Sequence, residues 1–104
     1  MEKNTLQRDD TFVQSGRQGR TDDVIFLMNA LEMQDDLATS RWVDFALSLV
    51  RGQEGVGQTL HFLFHGSLRQ RNVAALYFKR RGWFDELEEA LQQGLVDAVQ
   101  GYAQ

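Results

Sequence analysis

Two histidines are the first candidates for chemistry in this chain. His61 and His65 are four residues apart, so on a helix they would share one face and could bind a metal ion together. Phe-Leu-Phe lies between them, so the glutamate base of an HExxH site is missing, and the sequence has no cysteine to complete a ligand set. We interpret the pair as polar residues on the outer side of a core helix, and we expect no metal and no other cofactor.

Paired carboxylates are the second candidate. They occur at Asp22 and Asp23, at Asp35 and Asp36, and at Glu88 and Glu89. Adjacent residues on a helix do not face each other, so such pairs are typical of solvated surfaces and helix starts. The sequence also lacks a GxSxG motif, a phosphate-binding glycine loop and any thiol nucleophile. We therefore predict that the protein is not an enzyme.

Composition limits the class of protein. The chain has 104 residues, of which 42% are hydrophobic and 25% charged, which is ordinary for one globular domain. The absence of cysteine fits a reducing compartment, so we expect a cytoplasmic protein. The start is polar and the apolar runs are short, so we expect neither a signal peptide nor a membrane span. A net charge of −4 argues against attraction of the whole domain to nucleic acid.

The first 20 residues differ from the rest. They mix both signs of charge and offer only Leu6, Phe12 and Val13 for burial, so we expect residues 1–20 to be a flexible N-terminal segment. From Thr21 onward the apolar residues repeat at helical spacing. We therefore predict a single helical domain over residues 21–104.

The first two predicted helices supply most of the expected core. Val24, Leu27, Met28 and Leu31 have the i, i+3, i+4, i+7 spacing of a buried helix face that starts after Thr21 or Asp22. Thr39 or Ser40 is expected to cap the next helix, which ends near Val50. Trp42, Phe45, Ala46 and Leu49 lie on one side of this helix and Val43, Leu47 and Val50 lie close by, so the helix is expected to be central.

Three glycines separate these helices from the next apolar run. Gly52, Gly55 and Gly57 predict a flexible turn, and a short helix is expected from about residue 59 to His65. A final short helix is expected from Leu95 to Tyr102, so the count is six helices. The connections are short, which is typical of an all-α, six-helix antiparallel bundle.

The stretch from Ser67 to Gln93 predicts two helices that meet at a corner. Gly82 lies where a left-handed helix cap is expected, and Trp83 restarts the chain. Residues 66–81 contain five basic and no acidic residues, whereas residues 82–104 contain five acidic and no basic residues. Opposite charge blocks on one domain would let two copies meet head to tail, basic on acidic. The alternative is that both blocks only solvate their helices.

A second hypothesis is a helix-turn-helix nucleic-acid binder. The sequence FLFHGSLRQRNVAALYFKRR combines a helix, a Gly-Ser turn and a basic second helix. DNA readers contact bases mainly from the start of the second helix, where only Arg69 and Arg71 stand. We keep this hypothesis as the alternative and regard nucleic acid as an unlikely partner.

The corner also carries a family resemblance. Its residues are Lys79-Arg80-Arg81-Gly82-Trp83-Phe84, followed by Glu86-Leu87, Ala90-Leu91 and Leu95-Val96-Asp97. With these, the segment from Leu60 to Gln104 resembles the second half of a caspase recruitment domain (CARD), a member of the death-fold superfamily. It is most similar to the CARDs of antiviral RNA-sensing receptors and of their mitochondrial signalling adaptor. In those domains a basic helix end leads to a Gly-Trp corner, an aromatic fifth helix and a short sixth helix.

The resemblance implies a death-fold bundle that works by homotypic protein–protein contact, as an adaptor or regulator in apoptotic or innate immune signalling. It implies that the partners are other death-fold domains, including copies of this chain. The expected interface residues are Lys79, Arg80, Arg81, Trp83, Asp85, Glu86 and Glu89. An alternative acidic counterpart consists of Asp22, Asp23, Asp35 and Asp36.

Overall fold

Six α-helices follow one another in the computed structural model, which describes the backbone of residues 2–97 and the side chains of residues 10–97. They are α1 (Glu2–Gln18), α2 (Thr21–Met33), α3 (Leu37–Ser48), α4 (Gln53–His65), α5 (Leu68–Arg81) and α6 (Phe84–Gln92). Residues 2–97 contain no strand, so this part of the protein is all-α, as predicted. Within the same residues, no helix is long and apolar enough to cross a membrane.

The number of helices agrees with the prediction, although the helices are not the same six. The expected flexible segment is helical as α1, and Leu95–Asp97, at the start of the expected last helix, are not helical. The rest of that helix lies outside the described residues. Contacts divide the chain into two compact units, Met1–Gln58 and Thr59–Gln104. A single domain over residues 21–104 and its antiparallel death-fold arrangement stay predictions.

Helix α1 corrects the expectation of a flexible start to the chain. It packs on α2 and α3 through Phe12, Ser15 and Gly16, which share one helix face and are buried. A Cβ atom on Gly16 would lie 2.1 Å from the carbonyl oxygen of Ala46, so the α1 backbone meets the α3 backbone directly. The sequence pattern misses this face because small residues supply most of it, and small residues carry little hydrophobic signal.

Helix α2 has the predicted span and the predicted buried face. Val24, Leu27, Met28 and Leu31 are fully buried. The start differs in detail, because the carboxylate of Asp23 accepts a hydrogen bond from the backbone N–H of Arg20 at 3.0 Å. Arg20 is therefore the capping residue, and Asp23 fixes the first turn from within the helix.

Helix α3 begins earlier than predicted. Asp36, rather than Thr39 or Ser40, is the N-cap, and its carboxylate accepts a 2.6 Å hydrogen bond from the Thr39 backbone N–H. Of its two apolar sides, the one with Phe45 is turned outward, and Phe45 is 50% exposed. Thr39, Val43, Ala46 and Leu47 of the helix are buried, as is Val50 just beyond it. Two overlapping apolar stripes run along this helix, and the spacing of residues alone does not tell which one faces the core.

The predicted glycine turn is shorter than expected. Gly55 and Gly57 lie inside α4, and only residues around Gly52 form the connection. At Gly55 a Cβ atom would lie 2.2 Å from the carbonyl oxygen of Gly19, so glycine is required there by close approach to the end of α1. Gly57 has open space beside it, so no contact demands glycine at that position.

In the second unit, α5 has the predicted bounds and a well-defined start. Ser67 Oγ accepts a hydrogen bond from the Gln70 N–H at 3.2 Å, and the Gln70 side chain accepts one from the Ser67 N–H at 2.9 Å. This reciprocal pair is a capping box, and it fixes the first turn of α5. The buried hydrophobic residues of this unit are Leu63, Val73, Ala74, Ala75, Tyr77, Phe78, Leu87, Ala90 and Val96.

After α6 the chain returns along α5 in a non-helical segment. Gly94 has a φ of 73°, and the Leu95 N–H donates to the Ala90 carbonyl at 2.9 Å, which ends the helix. The Nε atom of Arg71 then donates to the Leu95 carbonyl at 2.5 Å. Asn72 and Asp97 exchange two hydrogen bonds of 3.1 and 3.3 Å. These contacts hold residues 95–97 against α5.

Candidate interaction surface

A closed hydrogen-bonding motif forms the corner between α5 and α6. Gly82 has a left-handed φ of 76°, and its N–H donates to the Lys79 carbonyl at 3.2 Å. The Trp83 N–H donates to the Phe78 carbonyl at 3.0 Å. This bond pattern is a Schellman motif, in which the residue after the glycine commonly makes an apolar contact back onto the helix. Here the Trp83 ring lies 5.1 Å from the Phe78 ring, centroid to centroid.

The basic end of α5 presents three cations in one turn. Arg80 is exposed, and Lys79 and Arg81 are partly exposed. The guanidinium of Arg81 lies over the ring of Tyr77, 4.3 Å from its centroid, which is a cation–π geometry. Cations in the last turn of a helix also interact favourably with its dipole. We call Lys79, Arg80 and Arg81 the basic block.

The acidic start of α6 follows directly. Asp85 and Glu89 are exposed and Glu86 is partly exposed, while Leu87 and Ala90 of the same helix are buried. Helix α6 therefore keeps these carboxylates outward and Leu87 and Ala90 inward. A side-chain bond of 3.3 Å joins the Gln93 amide to Glu89. We call Asp85, Glu86 and Glu89 the acidic block.

Two aromatic side chains lie between the blocks at the surface. Trp83 is 38% exposed although it packs on Phe78, and Phe84 is 61% exposed. Residues Gly82 to Glu86 line a shallow depression of about 380 Å³. The corner thus combines exposed aromatic area with both signs of charge.

Two carboxylates of the alternative acidic counterpart, which lies in the first unit, stabilise the starts of helices. Asp23 is buried, and besides the Arg20 backbone it contacts the Arg20 side chain, with Nε and Oδ2 3.1 Å apart. Asp36 caps α3. Asp22 and Asp35 are exposed. Two of these four carboxylates therefore already have a role in the fold, whereas the acidic block lies on an outward helix face.

The two histidines lie together on the exposed side of α4. The ring centroids of His61 and His65 are 4.9 Å apart. Over the described residues, no group of three or more histidine, cysteine, aspartate or glutamate side chains is arranged to hold a metal ion. The pair is thus placed where the sequence predicted it.

Sequence analysis assigned Arg71 to a possible DNA contact, and the structure gives it an internal role. Its guanidinium donates to two backbone carbonyls, that of Gly66 at 2.7 Å and that of Leu95 at 2.5 Å. A side chain held in this way cannot reach a base edge without giving up both bonds. The nucleic-acid hypothesis therefore loses one of the two arginines at the start of α5. No sequence signal marked Arg71 and Asn72 as holding the returning segment.

Comparison of the chain with protein-family models, with curated proteins and with solved structures found no match.

Proposed function

We propose that this chain is a protein–protein interaction module that works by homotypic contact through the corner between α5 and α6. The observation that carries the proposal is the exposure of Trp83 and Phe84 between the basic and acidic blocks. Exposed aromatic residues beside arginine are typical of contact surfaces, where they supply most of the binding energy. Flanking charges of both signs supply orientation and association rate.

The resemblance to a CARD extends this proposal to a biological role. In that role the chain is a cytoplasmic adaptor or regulator in apoptotic or innate immune signalling, and its partners are other death-fold domains or copies of itself. The resemblance is carried by the corner sequence Lys79 to Phe84, which is the same stretch that exposes the aromatic residues. Titration calorimetry with a panel of purified CARDs tests this role. If the chain binds none of them, the proposed signalling role is excluded.

Charge reversal tests the interaction surface itself. We expect the wild type to form larger species at low salt in size-exclusion chromatography with light scattering, and we expect Arg80→Glu to remain a monomer. High salt should dissociate the wild type because screening weakens contacts between exposed charges. Arg51→Glu reverses an exposed arginine outside the corner and is the matched control. Equal association of all three chains would exclude the corner, and a monomeric wild type would exclude self-association.

The same samples test the nucleic-acid alternative. Duplex DNA should leave the elution and the mass of the protein unchanged at low salt. Binding that weakens steeply with added salt would favour the alternative, because release of counterions from phosphate gives such a slope. Loss of that binding in Arg69→Gln would assign it to the start of α5.

A further inference from the structure

The basic and acidic blocks lie on one corner of the second unit, not on opposite sides of it. Residues 79–81 end α5, residues 85–89 start α6, and only Gly82, Trp83 and Phe84 stand between them. A head-to-tail chain of copies requires two separate contact surfaces on each molecule, so that one remains open when the other is filled. The structure instead provides both charges within a single surface.

We infer that this corner binds the same corner of a second copy about a two-fold axis, giving a closed dimer. This inference rests on the proposed homotypic function and specifies its geometry. When the two-fold axis runs perpendicular to the line that joins the two blocks, the basic block of each copy faces the acidic block of the other, so the charge contact is made twice. A two-fold axis along that line would set like charges against each other.

The exposed aromatic residues lie at the centre of this arrangement. Trp83 and Phe84 separate the two charge blocks in the sequence, so they fall on the axis when the blocks exchange partners. Their exposure, 38% for Trp83 and 61% for Phe84, leaves ring surface that a second copy can cover. An apolar centre with a charged rim is the usual anatomy of a protein interface. Because one corner contributes the whole contact, the dimer is weak and concentration-dependent.

The mass at which association levels off distinguishes a closed dimer from an open-ended assembly of copies. In sedimentation equilibrium at low salt, we expect the average mass to rise with concentration and to level off at twice 12.0 kDa. A mass that continues to rise past this value would overturn the two-fold geometry while leaving homotypic contact in place. A mass that never exceeds that of the monomer would overturn both the two-fold geometry and the contact between copies of this chain.

Complementary charge reversals test the pairing of the blocks. One chain carries Lys79→Glu and Arg80→Glu, and the other carries Asp85→Lys, Glu86→Lys and Glu89→Lys. Each chain alone sets like charges across the axis, and its dimer should dissociate at least about tenfold more readily than the wild type. Mixed in equal amounts, the two should form a 1:1 dimer, because both contacts regain opposite charges.

Circular dichroism of each variant is the control for folding. If the lysine variant loses helical signal, Asp85→Asn with Glu89→Gln replaces it and should weaken the dimer at least about threefold. The inference would be overturned if the reversed chains dimerise as well as the wild type. It would also be overturned if the two reversed chains fail to pair when mixed although both are helical.

Tryptophan emission reports on the axis directly. Trp42→Phe leaves Trp83 as the one tryptophan in the chain. We expect its emission to shift to shorter wavelength as concentration rises, because a second copy removes water from the indole. Phe84→Gln should reduce the shift at equal concentration. Dimerisation without any shift would locate the contact away from the corner.

Discussion

Trp83 and Phe78 are joined twice, once through the backbone and once through their rings. The Trp83 N–H donates to the Phe78 carbonyl at 3.0 Å, and the ring centroids lie 5.1 Å apart with an interplanar angle of 38°. Trp83 thus packs against the end of α5 while 38% of the residue remains exposed. The same residue therefore determines the geometry of the corner and contributes to the surface that we propose for partner contact.

Trp83→Ala and Phe84→Ala should separate these two roles. Trp83→Ala removes the ring contact with Phe78, so we expect the free energy of unfolding to fall by about 2 kcal/mol. Phe84 is mostly exposed, so Phe84→Ala should change the free energy of unfolding by less than about 0.5 kcal/mol while still weakening self-association. Urea unfolding followed by circular dichroism measures the first effect, and light scattering the second. A large loss of stability in Phe84→Ala would show that its ring is needed for folding.

Gly82→Ala should weaken the corner through the backbone. A residue with a Cβ atom at a φ of 76° adopts the left-handed region at a cost of about 1–2 kcal/mol, and the unfolding free energy should fall by that amount. Gly52→Ala is the control, because Gly52 lacks a positive φ and has open space around it. Equal stability of the two variants would mean that the Schellman geometry of Gly82 is not maintained in solution.

Replacing glycine with alanine should have opposite effects on stability at two helical glycines. Gly16→Ala forces a methyl group against the Ala46 carbonyl, and we expect a loss of about 1–3 kcal/mol. Gly57→Ala adds a methyl group in open space inside α4, and we expect a gain of about 0.5–1 kcal/mol from higher helix propensity. Thermal and urea unfolding of both variants measure the contrast. A Gly16→Ala chain as stable as wild type would disprove the close packing of α1 on α3.

Removing the Arg71 guanidinium should destabilise the second unit. Arg71→Met keeps much of the apolar stem but leaves the Gly66 and Leu95 carbonyls without these donors, so we expect a loss of about 2–3 kcal/mol. Arg51→Met, at an exposed position between helices, is the control and should change stability little. Hydrogen exchange should also accelerate across residues 95–97 in Arg71→Met. An unchanged rate there would show that the arginine does not hold this segment.

The strongly periodic parts of the fold were predictable from the sequence. Helix α2 repeats large apolar residues at helical spacing, and all four predicted core positions are fully buried. The span of α5 was predictable because Ser67 and Gly82 mark its two ends by chemistry that acts locally. The position of the charge blocks followed from the same local reasoning.

The remaining features depend on contacts that a linear pattern does not encode. Helix α1 was missed because, among residues 10–18, its buried face adds only the small residues Ser15 and Gly16 to Phe12. The spacing of residues left the inner face of α3 undecided, because Phe45 and Val43 lie on two overlapping apolar stripes. Arg71 looked like a surface cation because its partners are backbone carbonyls, one of them 24 residues away. Long-range partners of this kind appear only when the chain is folded.

The contact of Gly16 with Ala46 has an evolutionary consequence. The atom that a side chain at residue 16 would strike is a main-chain oxygen, and every amino acid at residue 46 carries one. A second-site suppressor at residue 46 is therefore not available, unlike in a core of side chains, where one exchange can compensate another. Divergent descendants of this chain should retain glycine at this crossing even after their large core residues have been replaced.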